Sequence, residues 1–177
     1  MPTLISGSTG VNKITDGTIV NADIASGAAI AGSKLVMPTG SVIQVVSGPS
    51  SLPAAFATSS STFVSNGLEM AITPSATSSK IVVLVHSHGQ NSSSGRTLTY
   101  TLYRDSTNLG GTDAGFGNIT TAGNVKTGIS MHYLDSPSTT SAITYSMRVR
   151  SSASAGNVEV VEENTIPQNI TLMEIAG

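Results

Sequence analysis

The sequence predicts an all-β protein: an antiparallel β-sandwich or jelly roll preceded by an extended N-terminal arm. Three observations carry this. After Met37 the chain reads as eight to ten short apolar segments separated by turn residues, with no convincing helix. Two of these segments, Arg96 to Arg104 and Ala142 to Arg150, alternate strictly between apolar and polar, the period of a strand with one wetter face. A third, Ile81 to Val85, is an unbroken aliphatic run, as in a strand covered on both faces.

The stretch from Lys80 to Leu109 organises the rest. Ile81, Val82, Val83, Leu84 and Val85 form the first strand, and Gln90 to Gly95 reads as a hairpin loop leading into the second. In that second strand Arg96, Leu98, Tyr100, Leu102 and Arg104 point one way, and Thr97, Thr99, Thr101 and Tyr103 the other. A hairpin cannot bury its own face, so the remaining strands must be assembled over it.

Residues 1–36 differ from the remainder. Their aliphatic residues Ile14, Ile19, Ile24, Ile30 and Leu35 recur at steps of five or six, matching neither the helical period nor the strand period. Such a series suits an arm that turns repeatedly and is laid on another surface, one anchor per turn. Met37-Pro38-Thr39-Gly40 marks the boundary, so the chain divides into an anchoring arm, 1–36, and a β head, 37–177.

In the head, Val42 to Ser47 is the first strand. Ser50 to Ser61 is a loop, with Phe56 pinning it to the body. Thr62 to Val64 and Leu68 to Ile72 are short strands on either side of Asn66-Gly67, a hairpin dipeptide. Gly110 to Gly123 is a Gly-rich loop. Thr127 to Leu134 follows, with Ile129, Met131 and Tyr133 on one side. Ala142 to Arg150 has Ile143, Tyr145, Met147 and Val149 inward and Thr144, Ser146, Arg148 and Arg150 outward. Val158 to Val161 and Ile170 to Ile175 finish the chain.

Composition narrows the functional classes. Charged residues are 10% of the 177, against about 25% in typical soluble domains. So few charges fit a subunit that hides much of its surface against identical copies. A net charge of −2 argues against a nucleic-acid footprint. The absence of Cys excludes disulfides, zinc-thiolate sites and Cys nucleophiles. MPTLISGSTG has no basic region followed by an apolar core, so no secretory leader is expected, and no apolar run approaches the roughly 20 residues of a membrane helix.

The phrases PTGSVIQVVSG, SATSSKI, TLYRDSTNL, YLDSPSTTSAITY and ITLMEIAG resemble the C-terminal heads of bacteriophage tail-fibre, head-fibre and other virion structural proteins, and DGTIVNADIASGAAIAGSKL resembles the linker that often precedes such heads. The resemblance spans about residues 14–177. It implies a trimeric jelly roll akin to tumour-necrosis-factor-like heads. The function it implies is structural and non-enzymatic: a homotrimeric capsid decoration, cement or head-fibre protein. The arm would hold it to a major capsid, neck or tail protein, with assembly in the host cytoplasm. The short segment before the head favours a small appendage over a long fibre. The alternative is a tail- or neck-fibre protein recognising a host-surface glycan.

Candidate site residues are few. His86 and His88 lie two apart on one strand and could offer two metal ligands, but no second ligand set accompanies them, and no metal or other cofactor is expected. Tyr103, Arg104 and Phe116 are candidate loop-region contacts for a glycan or protein. The carboxylates are scattered, without the facing pair a glycosidase needs, and no catalytic motif occurs, so an enzyme is not expected.

Overall fold

The computed structural model describes residues 35–48, 56–91, 95–121, 125–152, 158–160 and 167–177, together with Ser26 and Gly27. The chain divides into two units, Met1–Val36 and Met37–Gly177. Ile14, Ile19, Ile24 and Ile30 lie outside the described residues; Leu35 is described and exposed.

Among its described residues the second unit holds eleven strands and no helix: β1 (Val42–Gly48), β2 (Phe56–Thr58), β3 (Val64–Ile72), β4 (Lys80–Asn91), β5 (Arg96–Arg104), β6 (Thr107–Asn108), β7 (Gly117–Thr121), β8 (Thr127–Asp135), β9 (Ile143–Ser151), β10 (Val158–Val160) and β11 (Asn169–Ile175). All pairings are antiparallel. The larger sheet runs β1-β11-β4-β8, with β10 and β2 continuing beside the far end of β4. The facing sheet runs β3-β9-β5, with β6 and β7 sharing the outer edge of β5. The eight principal strands therefore form two four-stranded sheets, and the chain crosses from one to the other at most of its connections. This is jelly-roll topology.

The core is the slab between the sheets. β4 contributes Ile81, Val83 and Val85, β8 contributes Ile129 and Met131, and β11 contributes Ile170 and Leu172. From the other side come Leu68 and Ile72 of β3, Leu98 and Leu102 of β5, and Ile143, Tyr145, Met147 and Val149 of β9. Each fully buried aliphatic or aromatic side chain stabilises by about 1.5–3 kcal/mol, and the alternation of β9 brings four of them inward.

Several expectations are corrected. β4 and β5 are not a hairpin. They lie in different sheets. Where the end of β4 faces the start of β5 the sheets approach so closely that a Cβ on Gly89 would overlap Leu98 Cδ2. The run Ile81 to Val85 is not covered on both faces within this chain, because Leu84 and His86 are exposed while Ile81, Val83 and Val85 are buried. Asn66-Gly67 is not a hairpin turn. Gly67, at φ 84°, forms a bulge inside one continuous β3, which pairs with β9 on both sides of it. The Leu68 amide donates to Asn66 Oδ1 at 3.2 Å and holds the bulge.

The expected wetter face of β5 is also covered: Thr99 and Thr101 are buried under residues 110–116. That Gly-rich segment leads into β7, a strand the sequence pattern did not show. The loop expected between Ser50 and Ser61 contains β2, with Phe56 packed against the core.

Candidate functional site

The outer face of the larger sheet is the most distinctive surface. Register places its residues in rows that cross the strands. Val42, Ile175 and Lys80 form one row. Val45, Met173, Val82 and Leu134 form the next, an apolar row crossing all four strands. Ser47, Thr171, Leu84 and His132 form the third, and Asn169, His86 and Ser130 the fourth. Val45 is 55% exposed and Leu134 54%, so this apolar row stands in solvent in the single chain. Ile43, the extra residue of a bulge in β1, adds a further exposed apolar side chain at the sheet's edge.

Beside the apolar row lies an open hollow of about 420 Å³ lined by Leu84, Val85, His86, Ser130, Met131, His132, Asn169 and Thr171. His86 and His132 stand diagonally across the β4–β8 ladder on this surface. The charge pattern is one-sided: Lys80 is the one permanently charged residue in these rows, and no carboxylate is among them.

The carboxylates of these strands point inward and bind the scaffold. Glu174 of β11 is fully buried beneath the face. It accepts hydrogen bonds from the Ser75 amide and hydroxyl at 2.7 Å each, from Ser79 Oγ at 2.6 Å and from Gln44 Nε2 at 2.6 Å. Burial alone would raise its pKa. These donors outweigh burial and hold it below the ordinary carboxylate value. Together they tie β1 and the β3–β4 connection to β11.

Asp135, at the end of β8, plays the same part between the sheets. Arg104 Nη1 of β5 donates to both of its oxygens, at 2.9 and 2.7 Å, and Tyr145 Oη of β9 donates at 2.6 Å. Burial, and then the bond to Asp135, push the Tyr145 pKa far upward.

The residues singled out from the sequence are dispersed. His86 is exposed on the outer face, whereas His88, two positions on, is buried. Among the described residues no group of three or more His, Asp or Glu converges as a metal site would require. Arg104 is held by Asp135. Tyr103 lies under the Arg148 guanidinium, 4.1 Å from the ring centroid, and meets Phe63 edge-on at 6.2 Å. Phe116 packs edge-on against Tyr133 at 5.5 Å. No described helix is long and apolar enough to cross a membrane.

Sequence reasoning missed the apolar row itself. Val45, Val82, Leu134 and Met173 come from four strands far apart in the chain, and only register brings them together. The available signal was the unbroken aliphatic run Ile81 to Val85 in β4, which puts Val82 and Leu84 on the outward side between the inward Ile81, Val83 and Val85.

No protein-family model and no curated protein matches the sequence. Among solved structures, the chain is similar to the infectious bursal disease virus VP2 subviral particle, with a TM-score of 0.45 and 14% identity over 85% of this chain and 42% of that chain. It is also similar to the T13 viral particle of the same virus, with a TM-score of 0.47 and 13% identity over 85% of this chain and 40% of that one. The chain thus spans about two fifths of the length of these structures.

Proposed function

We propose that this chain is a non-enzymatic structural protein of a bacteriophage virion: a homotrimeric jelly-roll head serving as a capsid decoration, cement or head-fibre element. Residues 1–36 attach it to another virion protein. The observation that carries the reading is the outer face of β1-β11-β4-β8, an apolar, nearly uncharged sheet surface whose own carboxylates, Glu174 and Asp135, are turned inward. A rigid sandwich with such a face is suited to assembly. The resemblance of TLYRDSTNL and YLDSPSTTSAITY to phage virion heads supports the same reading, as does the jelly-roll topology, an architecture that viral capsid domains share with lectins and cupins.

The test is incorporation. Immunogold labelling of particles of the virus that encodes the chain should place it on the virion. A chain lacking residues 1–36 should remain folded and oligomeric yet no longer join particles. Normal decoration by the truncated chain would overturn the anchoring role, and absence of the full chain from purified particles would overturn the virion role.

A further inference from the structure

We infer that the outer face of the β1-β11-β4-β8 sheet is the surface through which copies of this chain bind one another. The inference deepens the structural reading above and rests on it. The occupant is a second copy of the chain, for two reasons.

The first is charge. A foreign partner recognised by ion pairs would need carboxylates or several cations to address. The four rows offer Lys80 alone at one margin, with Ser47, Asn169, Thr171 and Ser130 as neutral polar groups. Hydroxyls and amides both donate and accept, so one part of such a surface can meet another part of it on the next copy, as closing a ring of three requires. It also has relief of both signs: the apolar row stands proud at Val45 and Leu134, and the hollow beside it is floored by Leu84, Val85 and Met131. A ridge on one copy can therefore be seated in the hollow of the next.

The second is area. Four strands at about 4.8 Å spacing and about seven residues at about 3.3 Å make a plane of roughly 400 Å². Side-chain relief raises the accessible surface above that. A stable contact needs about 1,000 Å² in total, about 500 Å² from each partner. With that relief the face reaches the lower end of the area that a specific contact buries.

The experiment uses the full chain. Its molar mass by light scattering is compared with that of the doubly substituted variant Val45→Glu/Leu134→Glu. Both positions are more than half exposed, so the single chain accommodates the glutamates. The wild type is expected at a multiple of 17.9 kDa and the variant at that single-chain mass, with an unchanged circular dichroism spectrum. Charges forced into a dry contact without partners should raise the dissociation constant by about 100-fold or more. Ala71→Glu, on the outer surface of the other sheet, should leave the multimer intact.

A multimer that persists in the Val45→Glu/Leu134→Glu variant would overturn the assignment of this face while leaving self-assembly standing. A monomeric wild type would overturn the inference altogether, and particle labelling would then decide the virion role separately. A multimer lost equally in Ala71→Glu would also count against the face.

Discussion

Glu174 and Ser79 meet at 2.6 Å beneath the outer sheet, and this bond is one of four that converge on a fully buried carboxylate. Hydrogen bonds to a charged group contribute about 1.5–3 kcal/mol each, and leaving their buried partners unsatisfied adds to the loss. Glu174→Gln keeps the shape but removes the charge and turns an amide N–H₂ toward donors. It should destabilise the protein by at least about 2 kcal/mol, read from urea midpoints at pH 7. An unchanged midpoint would mean that the network contributes nothing.

The same residue sets an acid limit. Its folded-state pKa is held below the unfolded value, so its contribution is fully present above the unfolded carboxylate pKa of about 4.3 and is lost as pH falls through the lower, folded value. The difference in unfolding free energy between wild type and Glu174→Gln should be constant from pH 7 to pH 5 and shrink below about pH 4. A difference that stays constant to pH 2 would contradict the lowered pKa.

Asp135 joins the sheets through Arg104 and Tyr145. Tyr145→Phe should cost about 1.5–3 kcal/mol, because it leaves one oxygen of a buried carboxylate without its 2.6 Å donor. Arg104→Met should cost a similar amount, since the guanidinium is 25% exposed and water can partly replace it. The two effects should not add, and a double-mutant cycle by chemical denaturation measures their coupling. Strict additivity would show that the three groups act independently.

Gly89 and Gly128 offer a paired test of packing. Gly89→Ala places a methyl on Leu98 Cδ2 and within 3.2 Å of Ile129 Cδ1, so it should destabilise by about 1–3 kcal/mol. Gly128→Ala meets nothing within 4 Å and should be neutral or slightly stabilising, because it restricts the unfolded chain. Equal effects in thermal melts would show that the sheets are not closely apposed where the end of β4 faces the start of β5.

The all-β class, the strands Val42–Gly48, Thr127–Asp135, Ile143–Ser151 and Asn169–Ile175, and the inward residues of β9 were legible in the amino-acid pattern to within a residue or two. Alternation is a local property, and it survives into the fold because a pleated strand exposes alternate residues to core and solvent. The tertiary structure decided which strands pair. The loop after β4 looked like a hairpin, yet it carries the chain to the opposite sheet, because β4 finds its partners in β8 and β11, at least 36 residues away in sequence. Asn66-Gly67 looked like a turn and became a bulge, because both halves of β3 have the same partner.

The candidate face was hidden for the same reason. The sequence shows that Val45, Val82, Leu134 and Met173 are apolar, but not that they share a row. Register is set by backbone hydrogen bonding and core burial across the whole sandwich, and a one-residue slip would turn each of these side chains to the other side. Sequence alone therefore determined the kind of surface this protein can make: apolar, weakly charged and strand-built. Only the closing of the two sheets decided which apolar residues went inside and which were left in a row facing out.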